Sequence, residues 1–186
     1  MKIPNNKTAI KILKQYHNPV HIIRHCVKVA KVAVFIGNML RETGCNISIP
    51  LLQAGGLLHD VAKYKSVLYG GDHAIIGAKI ITDIGYEDVA RIVESHVHLD
   101  PTLLSAGQIC EELVVNYADK RVKHTSVVSL EERFEDLFKR YGHNEKSIKR
   151  IDELYRQGLH MEKIIFDRLD IKPIKLNIIF RRNCND

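Results

Sequence analysis

Tryptophan is missing from this chain of 186 residues, and aromatic residues make up only 6% of it. Proteins that hold single-stranded nucleic acid without sequence preference stack its bases on aromatic side chains. The sequence therefore predicts no stacking surface of that kind, and nucleic acid is not an expected partner.

Long apolar runs and paired cysteines are missing as well. No segment approaches the roughly 18 apolar residues that a membrane helix needs, and the first residues, MKIPNNKTAIKILKQYH, lack the apolar core of a signal peptide. Cys26, Cys45, Cys110 and Cys184 form no CxxC pair, which argues against a disulfide framework or a zinc knuckle. We expect reduced thiols, no membrane partner and a cytoplasmic protein.

The charge balance is moderately basic. Lysine and arginine number 28 against 22 acidic residues, a formal net charge of +6. Such an excess favours anionic ligands, for example nucleotides or phosphorylated metabolites, and it also fits a protein whose charge serves only its solubility. We expect a small phosphate-bearing substrate.

The apolar residues recur at helical spacing almost throughout, and no stretch alternates as a strand does. This pattern predicts an all-α helical bundle in one domain, residues 1–186. Residues 64–71 are expected to be looser, and the tail after Pro173 has no predicted structure. The predicted helices cover residues 7–16, 20–43, 51–63, 72–84, 87–98, 105–120, 130–141 and 144–169.

Histidines and aspartates carry the chemistry. His59 and Asp60 end the apolar segment AGGLLHD, and His25 and Asp119 also fall among apolar residues. A buried carboxylate needs a cation or hydrogen-bond donors, so either a metal ion or a nearby Lys or Arg would satisfy these aspartates. Imidazole and carboxylate ligands together suit Mn, Fe, Co or Zn.

Two further histidines, His73 and His96, fall on helices between the dyad and Asp119. A two-metal site holds its ions about 3.5–4 Å apart, usually with a bridging carboxylate. Asp60 could be that bridge, with His73 and His96 holding the second ion.

The ordered set His, His-Asp, His, His, Asp, with its HAIIGA, ESHVH and ADK contexts, resembles the HD-domain superfamily of metal-dependent phosphohydrolases. It is most similar to the HDIG type, in which a lysine follows the dyad at the place of Lys63. The resemblance covers residues 19–120 and leaves residues 121–186 as C-terminal helices and tail. It implies a helical bundle of the HD type that binds one or two divalent ions, with iron or manganese preferred and Co, Ni, Zn or Mg as further choices. The implied metal ligands are His25, His59, Asp60, His73, His96 and Asp119.

Catalysis is assigned to Asp60, as the bridge that orients the attacking water, and to Lys63. Lys63 is also a predicted substrate-binding residue, because its ammonium group suits a phosphate, although a solvated surface lysine fits equally well. Lys120 and Arg121 follow Asp119 and are predicted to add positive charge near the pocket mouth; an exposed helix end is the alternative. His98 is expected to face away from the site.

The resemblance implies hydrolysis of a phosphate ester or phosphoanhydride of a nucleotide or another small metabolite by a metal-activated water. The short length and two-metal pattern are similar to the symmetrical diadenosine tetraphosphate hydrolases, and nucleoside monophosphate phosphatases and cyclic nucleotide phosphodiesterases stay open. Di-iron oxygenases of the same fold use the same ligand types, and a non-catalytic module that binds nucleotide or RNA is the third reading. A homodimer is compatible with the sequence.

Overall fold

The computed structural model of the chain describes residues 2–182, and helices dominate it, as the sequence predicts. Within these residues no helix is long and apolar enough to cross a membrane. The helices are α1 (Asn6–Gln15), α2 (Val20–Glu42), α3 (Ile49–Leu58), α4 (Lys63–Tyr69), α5 (His73–Asp83), α6 (Glu87–Ser95), α7 (Pro101–Ser105), α8 (Glu111–Lys120), α9 (Leu130–Tyr141), α10 (Glu145–Phe166) and α11 (Ile174–Arg182). Two short strands, β1 (Val122–Lys123) and β2 (Ser126–Val127), pair antiparallel between α8 and α9.

Polar side chains begin several helices by accepting hydrogen bonds from the first free backbone N–H groups. Asn5 caps α1, Ser48 caps α3 and Asp72 caps α5 in this way. Asn144 and Ser147 exchange side-chain-to-backbone bonds at the start of α10. These caps stabilise each helix by about 1 kcal/mol and fix where it begins.

The hydrophobic core is centred on the interface between α2 and α3. This interface is the most extensive contact that α2 makes. Gly56 of α3 lies directly against the backbone of α2, where an added Cβ would come within 2.6 Å of the Cα atom of Ala30. This close approach brings the C-terminal end of α3 against α2. Helix α8 packs on both of them, and α6 packs on α3 and α8.

The helix that leads to the His-Asp dyad ends earlier than predicted, at Leu58 rather than residue 63. The chain turns after it, and the side-chain amide of Asn18 donates to the carbonyl of Val61 at 2.7 Å, which satisfies one backbone group that the turn frees. The segment predicted to be loose forms the short helix α4 instead. Gly70, with a φ of 77°, ends it.

Three further boundaries differ from the prediction. The helix expected over residues 105–120 begins at Glu111, because α7 is separate and Gly107 turns the chain with a φ of 59°. Helix α6 ends at Ser95 rather than 98, and α10 at Phe166 rather than 169. The strands were not predicted, since two residues are too few to show alternation.

A buried arginine holds the C-terminal part of the chain in place. Arg121 is 1% exposed. It donates to the backbone carbonyls of Val128 and Pro173 at 2.6 and 3.2 Å, to the Oδ1 of Asn177 at 2.6 Å, and to the carboxylate of Glu162 at 3.1 Å. The tail without a predicted structure is therefore anchored as α11 against the end of α8.

Cys26, Cys45 and Cys110 are free thiols, as expected, and Cys184 lies outside the described residues. Burial raises the pKa of the Cys26 thiol well above its ordinary value. That residues 1–186 form a single HD domain stays a prediction.

Replacing Gly56 with alanine is expected to lower the free energy of unfolding by about 1–3 kcal/mol, because the new methyl group collides with the α2 backbone. The matched control is Gly158→Ala on α10, where an added Cβ meets only side-chain atoms at 3.5 Å or more. The control should leave stability unchanged or raise it by up to about 1 kcal/mol. Urea denaturation measures both, and equal stability of the two variants would contradict the close approach of α2 and α3.

Candidate metal centre

Five elements of the fold bring the predicted ligand residues into one cluster. Each side chain comes from a helix, from the end of one, or from the turn that follows α3. The residues are His25 on α2, His59 and Asp60 after α3, His73 at the start of α5, His96 at the end of α6 and Asp119 on α8.

The first half of the cluster lies between α2, α3 and α8. The Nε2 atom of His25 lies 2.9 Å from the Oδ1 of Asp119, and the Nε2 of His59 lies 3.5 Å from the same oxygen. The Oδ2 of Asp60 is 3.6 Å from the Nε2 of His59. Ligand atoms of His25, His59 and Asp60 all lie within 4.8 Å of one another, so these three can hold one ion.

The second half lies on the other side of Asp60. Its Oδ1 is 3.2 Å from the Nε2 of His73 and 3.6 Å from the Nε2 of His96, and these two nitrogens are 3.1 Å apart. Asp60, His73 and His96 form a second group that can hold an ion. The two oxygens of Asp60 therefore face different groups, as a bridging carboxylate requires.

Backbone carbonyls fix the orientation of three imidazoles. The Nδ1 of His59 donates to the carbonyl of Gly56 at 2.8 Å, that of His96 to Val93 at 2.5 Å, and that of His25 to His124 at 2.9 Å. A proton on Nδ1 leaves the Nε2 lone pair free and directed at the cluster. Metal-binding histidines are held in this way, since the second ring nitrogen sets both tautomer and direction.

The electrostatics of the cluster favour ionised aspartates. Burial opposes the charge on Asp60, but the surrounding imidazoles hold its pKa well below the ordinary value. The same balance lowers the pKa of Asp119, through His25 and His59. Burial lowers the pKa of His96, which keeps its imidazole neutral, as a ligand must be.

Unsatisfied atoms give an independent sign that a cation fits here. Within residues 2–182, the Nε2 of His59 and the Oδ1 of Asp60 are buried without a hydrogen-bond partner. Leaving such groups unpaired costs about 1–3 kcal/mol each. The short contacts between ligand atoms, from 2.9 to 3.6 Å, match two ligands on one ion, which lie roughly 3–3.5 Å apart for metal–ligand bonds near 2.1 Å. Imidazole and carboxylate donors suit a divalent transition metal. The residues present fit the ion, and which of them bind it stays a prediction.

Lys63 reaches the cluster from the first turn of α4. Its Nζ lies 3.2 Å from the Nε2 of His73 and 3.7 Å from the Oδ1 of Asp60, and its side chain is 41% exposed. The ammonium group thus faces both the cluster and the solvent. A substrate phosphate that entered the site could contact it.

Lys120 and Arg121 are buried, so they lie neither at a pocket mouth nor at an exposed helix end, and their role in substrate binding stays a prediction. Lys120 is 8% exposed, its Nζ donates to the Oδ1 of Asn116, and burial lowers its pKa to about 8. The guanidinium group of Arg121 donates hydrogen bonds to the segment after β2, to α10 and to α11. Both basic groups make their hydrogen bonds inside the protein, because the segment that follows α8 covers the end of this helix.

Some residues that support the site gave no signal in the sequence. His124 lies in the turn between β1 and β2 with a φ of 56°, and it acts through its backbone carbonyl, which no side-chain pattern reveals. Asn116 donates to the carbonyls of Ser95 and His96, which ties α8 to the end of α6. His98 faces away from the cluster, as expected, with its Nε2 2.6 Å from the Oδ2 of Asp72.

Comparison with known proteins gives a family match over much of the chain. Residues 22–123 match the HD domain family. Over 155 residues the chain is 28% identical to an uncharacterized protein of Methanocaldococcus jannaschii, which covers 77% of this chain and 90% of that protein. Over 77 residues, 41% of this chain, it is 36% identical to ribonuclease Y of Acidothermus cellulolyticus and 35% identical to that of Fusobacterium nucleatum. These stretches span only 15% and 14% of the two ribonucleases. No solved structure shows a significant match.

Replacing His73 with alanine is expected to reduce the number of bound Mn²⁺ ions from two to one, because one of the two groups loses a ligand. The control is His98→Ala, which removes a nearby histidine that pairs with Asp72 instead of the cluster. Isothermal titration calorimetry with Mn²⁺ counts the ions. Equal stoichiometry in the two variants would show that His73 is not a ligand.

Proposed function

The chain belongs to the HD-domain family, and on that premise we propose that it is a metal-dependent phosphohydrolase. The observation that carries the proposal is the position of Asp60 between two groups of ligand atoms, each able to hold an ion. A pair of metal ions sharing one carboxylate is a recurring arrangement for displacement at phosphorus. His25, His59 and Asp119 would hold one ion with Asp60, and His73 and His96 the other.

The residues of the chain divide the work of this reaction. A divalent ion at the site would acidify a water molecule and neutralise charge on phosphoryl oxygens. Asp60 fixes the position of the reacting centre through both of its oxygens. The carbonyls behind His25, His59 and His96 keep those imidazoles in place, so that no reorganisation is needed during the reaction.

Lys63 supplies the positive charge that the substrate meets. Its Nζ lies beside Asp60 and His73 and is open to solvent, so it can bind a phosphoryl oxygen and stabilise the charge that develops there. A partly exposed ammonium group beside the cluster suits an anionic substrate. This observation favours a phosphorylated substrate over a neutral one.

The substrate class that we propose is a nucleotide or another small phosphorylated metabolite. The net charge of +6 favours an anion. The ligand types suit Mn, Fe, Co or Zn, and the family resemblance favours iron or manganese among them. Dinucleoside tetraphosphates, nucleoside monophosphates and cyclic nucleotides are the candidates to compare.

The experiment is phosphate release and ester hydrolysis by the protein loaded with Mn²⁺ or Fe²⁺, with oxygen uptake recorded in parallel. We expect hydrolysis of bis(p-nitrophenyl) phosphate and of at least one nucleotide class, abolished by Asp60→Asn and without oxygen uptake. Oxygen consumption with no phosphoester cleavage would replace the proposal with an oxygenase. Full turnover of Asp60→Asn would remove Asp60 from the mechanism.

Replacing Lys63 with methionine is expected to lower kcat/KM for a phosphoester by about 10²–10³-fold, because one preorganised charge is lost from the transition state. The control is Lys65→Met, two residues along the same helix, whose side chain is exposed to solvent. Metal content should stay the same in both variants. Equal kinetics of the two would contradict the role of Lys63.

A further inference from the structure

Positive charge is concentrated at the start of the chain. Residues 1–41 contain eight lysines and arginines and no acidic residue, so the rest of the chain carries a net charge of −2. The metal ligand His25 lies on α2, inside this basic segment. The whole basic excess of the protein therefore belongs to the part that contains one of its predicted ligands.

Three of these residues form a row along α2, which we call the α2 basic stripe: Arg24, Lys28 and Lys31. They are spaced four and three residues apart, so they lie on one side of the helix with about 5–6 Å between neighbouring Cβ atoms. Arg24 and Lys31 are exposed, and Lys28 is half-buried. At 100° per residue, the row lies between 60° and 120° round the helix from His25, away from the buried side. The stripe thus begins beside the metal centre and runs away from it.

The stripe is not neutralised by the protein. Within residues 2–182, no carboxylate lies within 4.0 Å of any of its three charged groups, whereas Lys149, Arg156 and Lys163 of α10 each pair with an acidic residue four positions away. Cations without a carboxylate partner, at regular spacing along one line, suit a partner that supplies anions along a line.

Helix α11 packs against α2 beside the stripe. The ring of Phe180 packs on Phe35 of α2, with centroids 5.7 Å apart, and the Nζ of Lys28 lies 5.7 Å from the centre of the same ring. Arg181, the next residue, is exposed. The contact therefore brings α11, which carries one exposed cation, against α2.

We propose that the α2 basic stripe binds a single-stranded polynucleotide through its phosphates and holds the strand beside the metal centre. A small phosphorylated metabolite needs one or two cations, whereas a row of them matches a phosphodiester backbone. Binding through phosphates requires no aromatic platform, so the absence of tryptophan is compatible with it. Binding of such a strand would extend the expected substrate class from small phosphorylated metabolites to single-stranded polynucleotides.

A strand fits this surface better than a lipid bilayer does. The stripe leads to His25, whose side chain is only 15% exposed, and a flexible strand can enter such a recess while a flat membrane cannot. RNA and DNA share the phosphodiester that the stripe recognises. Cleavage of the bound strand rests on the proposed function. Binding of the strand does not, because it can be measured without turnover.

The test is fluorescence anisotropy with labelled 12-nucleotide RNA and DNA of the same sequence, on the full chain, across a salt series. The variant is Arg24→Gln, Lys28→Gln and Lys31→Gln together. The control is Lys149→Gln, Arg156→Gln and Lys163→Gln, which changes the net charge equally on α10. We expect the stripe variant to weaken binding on the order of a hundredfold at about 50 mM salt and to flatten the slope of log K against log salt by about 2, and the control to bind as the wild type does.

Each outcome decides the proposal. Preference for RNA or for DNA would name the natural strand, and both support it. Absent binding of either strand, an equal loss in the control, or binding only to vesicles of anionic phospholipid would overturn it. Turnover of bis(p-nitrophenyl) phosphate, unchanged in both triple variants, separates the two proposals: turnover without strand binding refutes only the stripe, and stripe-dependent binding without turnover refutes only the hydrolase.

Discussion

Two ionised carboxylates share a small, nearly dry space with four imidazoles, and the rest of the structure depends on that arrangement. The side chains of Asp60 and Asp119 are only 11% and 20% exposed, and their negative charge is costly to bury without a cation. Imidazoles alone leave an oxygen of Asp60 and a nitrogen of His59 without a hydrogen bond. A divalent ion in each of the two ligand groups would satisfy these atoms, so the cluster has a physical reason to bind metal.

The surrounding helices hold this cluster in place. Gly56 lets α3 approach α2 closely, and its carbonyl orients His59, so one residue sets both the helix packing and the direction of a predicted ligand. The turn at His124 gives its carbonyl to His25, and Arg121 fastens the C-terminal helices to the end of α8, two residues after Asp119. The segment after α8 therefore supports the site without contributing a ligand side chain to it.

Much of the fold and of the candidate site could be predicted from the sequence, because the signals that indicate them are local in the chain. The order of the six clustered residues and their sequence contexts resemble the HD-domain pattern, and that resemblance indicated a common site. The all-α fold followed from the helical periodicity of the apolar residues. The burial of Lys120 and Arg121 could not be predicted, because it depends on α10 and α11, which pack from far along the chain. Carbonyl contacts such as that of His124 leave no side-chain pattern, and α4 buries no residue that periodicity could detect.

The central claim is that the cluster is a two-metal site. Its most direct test is the metal content, by inductively coupled plasma mass spectrometry, of protein prepared without chelator or histidine tag. We expect close to two iron or manganese ions per chain. Protein that stays free of metal after Mn, Fe, Co and Zn are supplied would contradict it and make the histidines and aspartates purely structural.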